Sequence, residues 1–240
     1  MISENLKWDS AFFRKNISSV ILESEDTVLQ WKQMLTSSQS DLMYLRFTDN
    51  LSDDQKAFLK LLHPDTSVTN IIFEKIPDWK EVPEDINIQN VSHPNEFLYS
   101  MVLSCGKLSR FYLDPVLRHD YPRLYRQWLA NAFTKENWHC IISVKDRQVS
   151  GLSVFSRDAE DTGHIELLTV NKLFQRKGIG HCLLQASENF LIRSYGIKKI
   201  FITTQENNIP ACLCYQNFGY IPCKKEHIYH IWRKNEDPVQ

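Results

Sequence analysis

The chain has little net charge, no long apolar run and few glycines. Its formal net charge is −1 over 240 residues, which excludes the bulk attraction to nucleic acids or membranes that a strongly basic chain would have. No apolar run approaches the ~20 residues of a membrane-spanning helix. With 42% apolar and 24% charged residues, the composition is that of an ordinary globular protein with a sizeable core.

The cysteines and histidines lack the spacings of a thiol motif or a metal site. The six cysteines include no C-x-x-C pair, which predicts reduced thiols and a cytoplasmic protein. The eight histidines show no ligand spacing, so we predict no metal. The first residues, from Met1 to Trp8, also lack the basic and apolar regions of a signal peptide.

Because the chain has only seven glycines, the pair Gly178 and Gly180 stands out. It lies in the segment Gln175-Arg176-Lys177-Gly178-Ile179-Gly180, between a strand-like run over 164–170 and an amphipathic helical pattern that ends near Gly196. A glycine turn that opens a helix directs several free N–H groups the same way, at the positive end of the helix dipole. The segment therefore predicts a phosphate-binding turn.

Two common nucleotide motifs do not fit this turn. A P-loop requires Gly-Lys-Ser/Thr, but His181 follows Gly180. A dinucleotide fingerprint requires a third glycine where Leu183 stands. The pattern that remains is Gln/Arg-x-x-Gly-x-Gly. A second pattern follows the next predicted strand, 198–204, and consists of Asn208, Ala211, Tyr215, Gly219 and Tyr220.

The two patterns, in this order and with a helix between them, resemble those of the GNAT acyltransferase superfamily. The resemblance implies an α/β (α+β) fold with a mixed, twisted sheet that is splayed at the acetyl-CoA site and flanked by helices. It implies acetyl-CoA as cosubstrate, held by the main chain of the strand and by the turn. The residues so implicated are Leu168, Thr169, Val170, Gln175, Arg176, Lys177, Gly178, Ile179, Gly180 and His181.

The resemblance also assigns the chemistry. Tyr215 matches the tyrosine near the CoA sulfur, where a phenol can serve as general acid, and Asn208 matches a residue on the CoA arm. Each has a structural alternative, since Tyr215 could only pack and Asn208 could only cap a helix. The candidates for the general base are Glu166 and His164, both on the strand that enters the site. Either could be structural instead, and a sugar amine could need only a water relay.

Three further segments resemble the dTDP-fucosamine N-acetyltransferases of this superfamily. They are Trp8–Phe13, Ser109-Arg110-Phe111, and the run from Tyr125 through Trp128 to Ala132. This resemblance implies a dTDP-linked 4-amino-4,6-dideoxyhexose as acceptor, with Arg110, Tyr125 and His164 as candidate substrate-binding residues. Arginines are in local excess over 109–126, and their forks suit a diphosphate, although a solvated helix face would look the same.

The predicted organisation is a small N-terminal α/β subdomain over 1–76, a linker over 77–92 and the acetyltransferase domain over 93–240. Two other functions stay open at this point, an N-acetyltransferase for a peptide or other small-molecule amine, and a non-catalytic acyl-CoA-binding protein. The partners expected are a nucleotide-sugar substrate and, from the superfamily, a homodimer; neither nucleic acid nor membrane is expected.

Overall fold

A computed structural model describes residues 1–84, 86–158 and 161–233. Within these residues ten strands form one sheet, and eight α-helices accompany it. The strands are β1 (Ile2–Asn5), β2 (Ile17–Ile21), β3 (Leu42–Phe47), β4 (Thr66–Lys75), β5 (Asn87–Asn90), β6 (Trp138–Lys145), β7 (Gln148–Arg157), β8 (Thr162–Val170), β9 (Lys199–Gln205) and β10 (Ile221–Trp232). The helices are α1 (Lys7–Phe13), α2 (Val28–Ser37), α3 (Asp53–Leu61), α4 (Glu96–Cys105), α5 (Arg110–Leu113), α6 (Tyr121–Thr134), α7 (Ile179–Tyr195) and α8 (Ile209–Asn217).

Local sequence signals determine several helix ends. Ser52 accepts from the backbone N–H of Gln55, whose side chain accepts in return from the N–H of Ser52, and this capping box begins α3. Thr27 and Gln30 repeat the arrangement at α2. Gly196 ends α7 in the left-handed conformation, with φ 63°, which glycine adopts without steric cost. The helix end predicted near Gly196 is therefore present.

The sheet has the order β1-β2-β3-β10-β4-β9-β8-β7-β6-β5. Strand β4, from the N-terminal third of the chain, lies between β9 and β10 and is antiparallel to both. The predicted N-terminal subdomain and acetyltransferase domain therefore contribute strands to a single sheet. The segment predicted as a linker contains β5, which pairs with β6 at the sheet edge. The division of the chain at 76 and 93 stays a prediction.

Helices cover both faces of the sheet, as the sequence predicts. Helix α7 packs on β6, β7 and β8, and its buried face belongs to a core that includes Phe73, Phe155 and Ile202. Helices α4 and α6 pack on the same three strands, but their apolar side chains belong to a second core. The predicted mixed α/β sheet flanked by helices is confirmed. None of the described helices is both long and apolar enough to cross a bilayer.

Candidate active site

The sheet opens between the parallel strands β8 and β9. Residues Thr162–Ile165 pair with Lys199–Ile202, and the pairing stops there although β8 continues to Val170. The predicted splay of the sheet is thus present. A cavity of about 420 Å³ occupies the opening. Its walls come from strands β4, β6, β8 and β9 and helices α4, α5, α6 and α8.

The glycine turn follows β8 and begins α7. Arg176 and Gly178 both have positive φ, 63° and 78°, which turns the chain sharply before the helix. No side chain caps the first turn of this 17-residue helix, so its leading N–H groups stay open to a ligand. The four residues 175–178 are exposed, and a Cβ on Gly178 would meet nothing within 4 Å. The turn has the geometry of an anion cradle with clear space in front of it.

The residues beside the turn hold it against its neighbours. Gln175 Nε2 donates to the carbonyl of Val170 at 3.2 Å, which ties the turn to the end of β8. His181 Nε2 lies 3.2 Å from the carbonyl of Cys214 on α8. A Cβ on Gly180 would lie 3.4 Å from Cys214 Sγ and 3.8 Å from Val170, so α7 and α8 approach closely here.

Tyr215 lies on the cavity wall and comes from α8. Its side chain is 6% exposed and packs edge-on against Phe73, with ring centroids 5.8 Å apart. Burial raises the pKa of Tyr215 well above its ordinary value, so the phenol keeps its proton at neutral pH. Asn208 also lines the cavity, and its Nδ2 donates to Thr204 Oγ1 at 3.0 Å.

Glu166 enters the cavity because of a β-bulge. The register between β7 and β8 shifts so that Phe155 faces Ile165 and Val154 faces Leu167, which leaves Glu166 as the extra residue. Its carboxylate is exposed and accepts from Ser156 Oγ at 2.6 Å. His164, two residues earlier, stacks on Phe201 and lies 3.3 Å from Asp158; it does not line the cavity.

Aromatic side chains and Arg110 form the wall farther from the turn. Trp128 packs against Phe111 and Tyr125, with ring centroids 5.7 and 4.8 Å away. A Cβ on Gly106 would collide with the ring of Tyr125, so this glycine gives Tyr125 its place in the wall. Of the predicted site residues, the cavity wall contains Arg110, Tyr125, Glu166, Leu168, Asn208 and Tyr215.

Several lining residues carry no local signal in the sequence. Asn70 comes from β4 and Trp138 from β6, far apart along the chain. Cys105 reaches the wall from the last residue of α4. Only the tertiary fold brings them together. No group of three or more metal-ligating side chains occurs among the described residues.

Known structures share this architecture. A functionally unknown conserved protein from Staphylococcus epidermidis superposes with a TM-score of 0.63 at 15% identity, over 91% of this chain and 85% of its own. A tandem GNAT protein from the clavulanic acid biosynthesis pathway gives 0.60 at 10% identity, over 92% of this chain and 76% of its own. At such identities the likeness establishes the fold, which is the GNAT fold.

A sequence match to a known family covers part of the chain. Residues 104–220, just under half of its length, match the acetyltransferase (GNAT) family, the superfamily that the two sequence patterns resemble. This family uses acetyl-CoA. A Bacillus subtilis subsp. natto protein named "Probable spermine N(1)-acetyltransferase" is 39% identical over 51 residues, which are 21% of this chain and 34% of that protein. The match thus spans about a third of the relative.

Proposed function

We propose that the protein is an acetyl-CoA-dependent N-acetyltransferase whose acceptor is a dTDP-linked 4-amino-4,6-dideoxyhexose. The observation that carries the proposal is the opening between β8 and β9. It ends at the uncapped glycine turn on one side and continues into a cavity with Glu166, Tyr215 and Arg110 on its walls. An acyl donor with a phosphorylated tail and an acceptor with an amine could meet there.

The chain offers acetyl-CoA a fitting binding surface. The open N–H groups of Gly178 to His181 would hold the pyrophosphate, with Arg176 and Lys177 exposed beside them. The main chain of Leu168, Thr169 and Val170 lies beyond the last pairing with β9, so its polar groups on that side would pair with the pantetheine arm. When bound, acetyl-CoA supplies a thioester as acyl donor.

Tyr215 would act on the leaving sulfur. Its pKa is raised by burial, whereas an ordinary thiol has a pKa of about 8.5. Complete transfer of the phenol proton to a thiolate would therefore run uphill, and donation of a hydrogen bond is the favoured contribution. This role places Tyr215 at the leaving sulfur, as the resemblance suggests, but as a hydrogen-bond donor rather than as a full general acid.

Glu166 would be the base. The bulge turns its carboxylate into the cavity, and the hydrogen bond from Ser156 fixes one oxygen while the other is left for a proton. Glu166 would take the proton that the amine loses, directly or through a water, as the nitrogen bonds to the acyl carbon and the carbon–sulfur bond breaks. His164 is disfavoured for this role because it lies outside the cavity wall.

The acceptor end suits a nucleotide sugar better than a polyamine. The match to a protein named as a probable spermine acetyltransferase makes a polyamine the second candidate acceptor. A polycation would be expected to bind in a site with several carboxylates. The described cavity wall carries one carboxylate, Glu166, together with the cation Arg110. Aromatic rings such as Tyr125 and Trp128 could pack on a sugar or a base. A cytoplasmic location belongs to the same proposal, since none of the six cysteines forms a disulfide.

The test is release of CoA thiol from acetyl-CoA with a panel of acceptors. The panel contains dTDP-4-amino-4,6-dideoxygalactose, its gluco epimer, spermine and a lysine peptide. Turnover with one sugar would support the proposal and name the substrate. Turnover with only spermine or only the peptide would rule out the proposed acceptor but retain acetyl transfer to an amine as the reaction. Binding of acetyl-CoA without turnover of any amine would favour a non-catalytic acyl-CoA-binding protein.

A further inference from the structure

A buried Asp–His pair stands behind Arg110 and has no part in the acyl transfer described above. Asp114 and His230 are both 0% exposed, and Asp114 Oδ2 lies 2.6 Å from His230 Nδ1. The same oxygen accepts from Trp232 Nε1 at 2.9 Å. The other oxygen accepts from the backbone N–H groups of Val116 and Leu117. The carboxylate is thus fully hydrogen-bonded.

The hydrogen bonds fix the tautomer of His230. Arg110 Nη1 lies 3.2 Å from His230 Nε2, and a guanidinium can only donate. His230 Nε2 therefore accepts, and Nδ1 carries the proton donated to Asp114. Burial lowers the pKa of His230 to about 4, so the ring is neutral at physiological pH. Asp114, His230 and Arg110 form one directed chain of hydrogen bonds.

Aromatic rings complete the support of the guanidinium. Arg110 Cζ lies 3.9 Å from the ring centroid of Tyr44 and 4.2 Å from that of Phe111. These cation–π contacts and the bond to His230 leave the guanidinium little freedom to move. An arginine held this firmly at a cavity wall is preorganised for a ligand.

The cavity wall that contains Arg110 carries one carboxylate, that of Glu166, and no ion pair joins the two side chains. Among the described residues no carboxylate forms an ion pair with Arg110. Asp9, on α1, lies close enough for the charge of Arg110 to lower its pKa, but burial is the larger effect and raises the pKa of Asp9 above its ordinary value. The neighbouring Ser109 also lines the cavity and is 6% exposed. Its Oγ makes no hydrogen bond of ordinary geometry within the described part of the chain, although it lies close enough to the Tyr125 hydroxyl to lower the pKa of that phenol. A buried hydroxyl without a partner is costly unless a ligand supplies one.

We propose that Arg110 and Ser109 form a subsite for an anionic group of the acceptor, a phosphate or a carboxylate, and that Asp114 and His230 are positioning residues for Arg110. The inference rests on the proposed function only in that the acceptor enters this cavity. It narrows the substrate class to amines that also carry an anion. A polyamine carries no anionic group, whereas a nucleotide sugar carries a diphosphate.

Anion binding tests the subsite without turnover. The protein is first saturated with CoA, which on the proposed function would occupy the glycine turn, and is then titrated with inorganic phosphate, pyrophosphate or acetate by calorimetry. Binding of at least one anion should weaken about tenfold or more in Arg110→Gln, the loss expected for one charge-assisted contact. Arg118→Gln is the matched control, because Arg118 is an exposed arginine that bonds the carbonyl of Tyr112 and does not line the cavity.

Two substitutions at position 230 separate positioning from packing. His230→Asn keeps a donor near Asp114 but removes the acceptor for Arg110, whereas His230→Gln can place an amide oxygen near Nε2. Anion affinity, and acceptor KM where turnover exists, should suffer more in the Asn variant while acetyl-CoA affinity is unchanged in both. A purely structural role would lower the melting temperature without changing anion affinity.

The outcomes distinguish this inference from the proposed function. Arg110-dependent anion binding without acetylation of either sugar would sink the proposed acceptor and leave the subsite standing. Acetylation of a sugar with the same KM in Arg110→Gln and in the wild type would support the proposed acceptor and rule out the subsite. If no anion binds in an Arg110-dependent way, the subsite does not exist.

Discussion

The buried histidine makes the protein sensitive to acid in a way that can be calculated. His230 has an ordinary pKa of 6.5 when unfolded, and in the fold burial lowers the pKa to about 4. Asp114 opposes this shift through its hydrogen bond, while the nearby charge of Arg110 reinforces it. Between these two pKa values the unfolded chain binds a proton that the folded protein does not. Stability that is fully present above about pH 6.5 is therefore lost as the pH falls toward 4.

The size of the loss follows from the shift. Each pH unit within this window removes about 1.36 kcal/mol, so lowering the pH from about 7.5 to about 5 should remove roughly 2 kcal/mol through His230 alone. Burial alone would raise the pKa of Asp114, but its hydrogen bonds from His230, Leu117 and Trp232 lower it. Asp114 therefore adds to the loss in the same direction at lower pH.

Urea unfolding at the two pH values measures this loss. Between the two pH values the unfolding free energy should fall by roughly 2 kcal/mol less in His230→Gln than in the wild type, because the variant has no imidazole to protonate. His119→Gln is the control, since His119 is exposed, and it should keep the wild-type pH dependence. An equal loss in His230→Gln and the wild type would refute the assignment of a buried neutral imidazole.

Three further predictions concern the acetyl-transfer site. Tyr215→Phe should lower kcat about tenfold to a hundredfold with unchanged acetyl-CoA affinity, because it removes one donor to the leaving sulfur; unchanged kcat would leave Tyr215 a packing residue. Glu166→Gln retains the acceptor for Ser156 and should lower kcat about a hundredfold near pH 7; full activity would exclude it as base. Gly178→Ala and Gly196→Ala both place alanine at positive φ in open space, so each should cost about 1–2 kcal/mol of stability, but only Gly178→Ala should weaken acetyl-CoA binding. Equal acetyl-CoA affinity in the two alanine variants would contradict the cradle.

The glycine turn and the regular elements could be predicted because their signals are local. Helix α7 begins at the predicted turn and ends at Gly196, where the amphipathic pattern ends. Strand β10, Ile221–Trp232, gives only a weak strand signal in the sequence, because its first half carries charged, exposed residues. Strand β1 and helix α1 were not predicted, since β1 is exposed throughout and α1 is only two turns long.

Residues of the site could be predicted only where they belong to a recognisable sequence motif or segment. Gly178, Asn208 and Tyr215 fall on such motifs, and Arg110 falls in the arginine-rich segment. The insertion of β4 between β9 and β10 carries no local signal, so Asn70 was missed. His230 was missed because its partner Asp114 lies 116 residues away. The roles of the site residues and the homodimer expected from the superfamily stay predictions.

The most direct test of acetyl transfer is to measure both products in one reaction. Thiol released from acetyl-CoA and acetylated amine, identified by mass spectrometry, are quantified together with dTDP-4-amino-4,6-dideoxygalactose as acceptor. We expect one acetylated amine for each thiol released, and both should fall together in Tyr215→Phe. Thiol release without an acetylated amine, or no consumption of acetyl-CoA with any amine of the panel, would contradict the account.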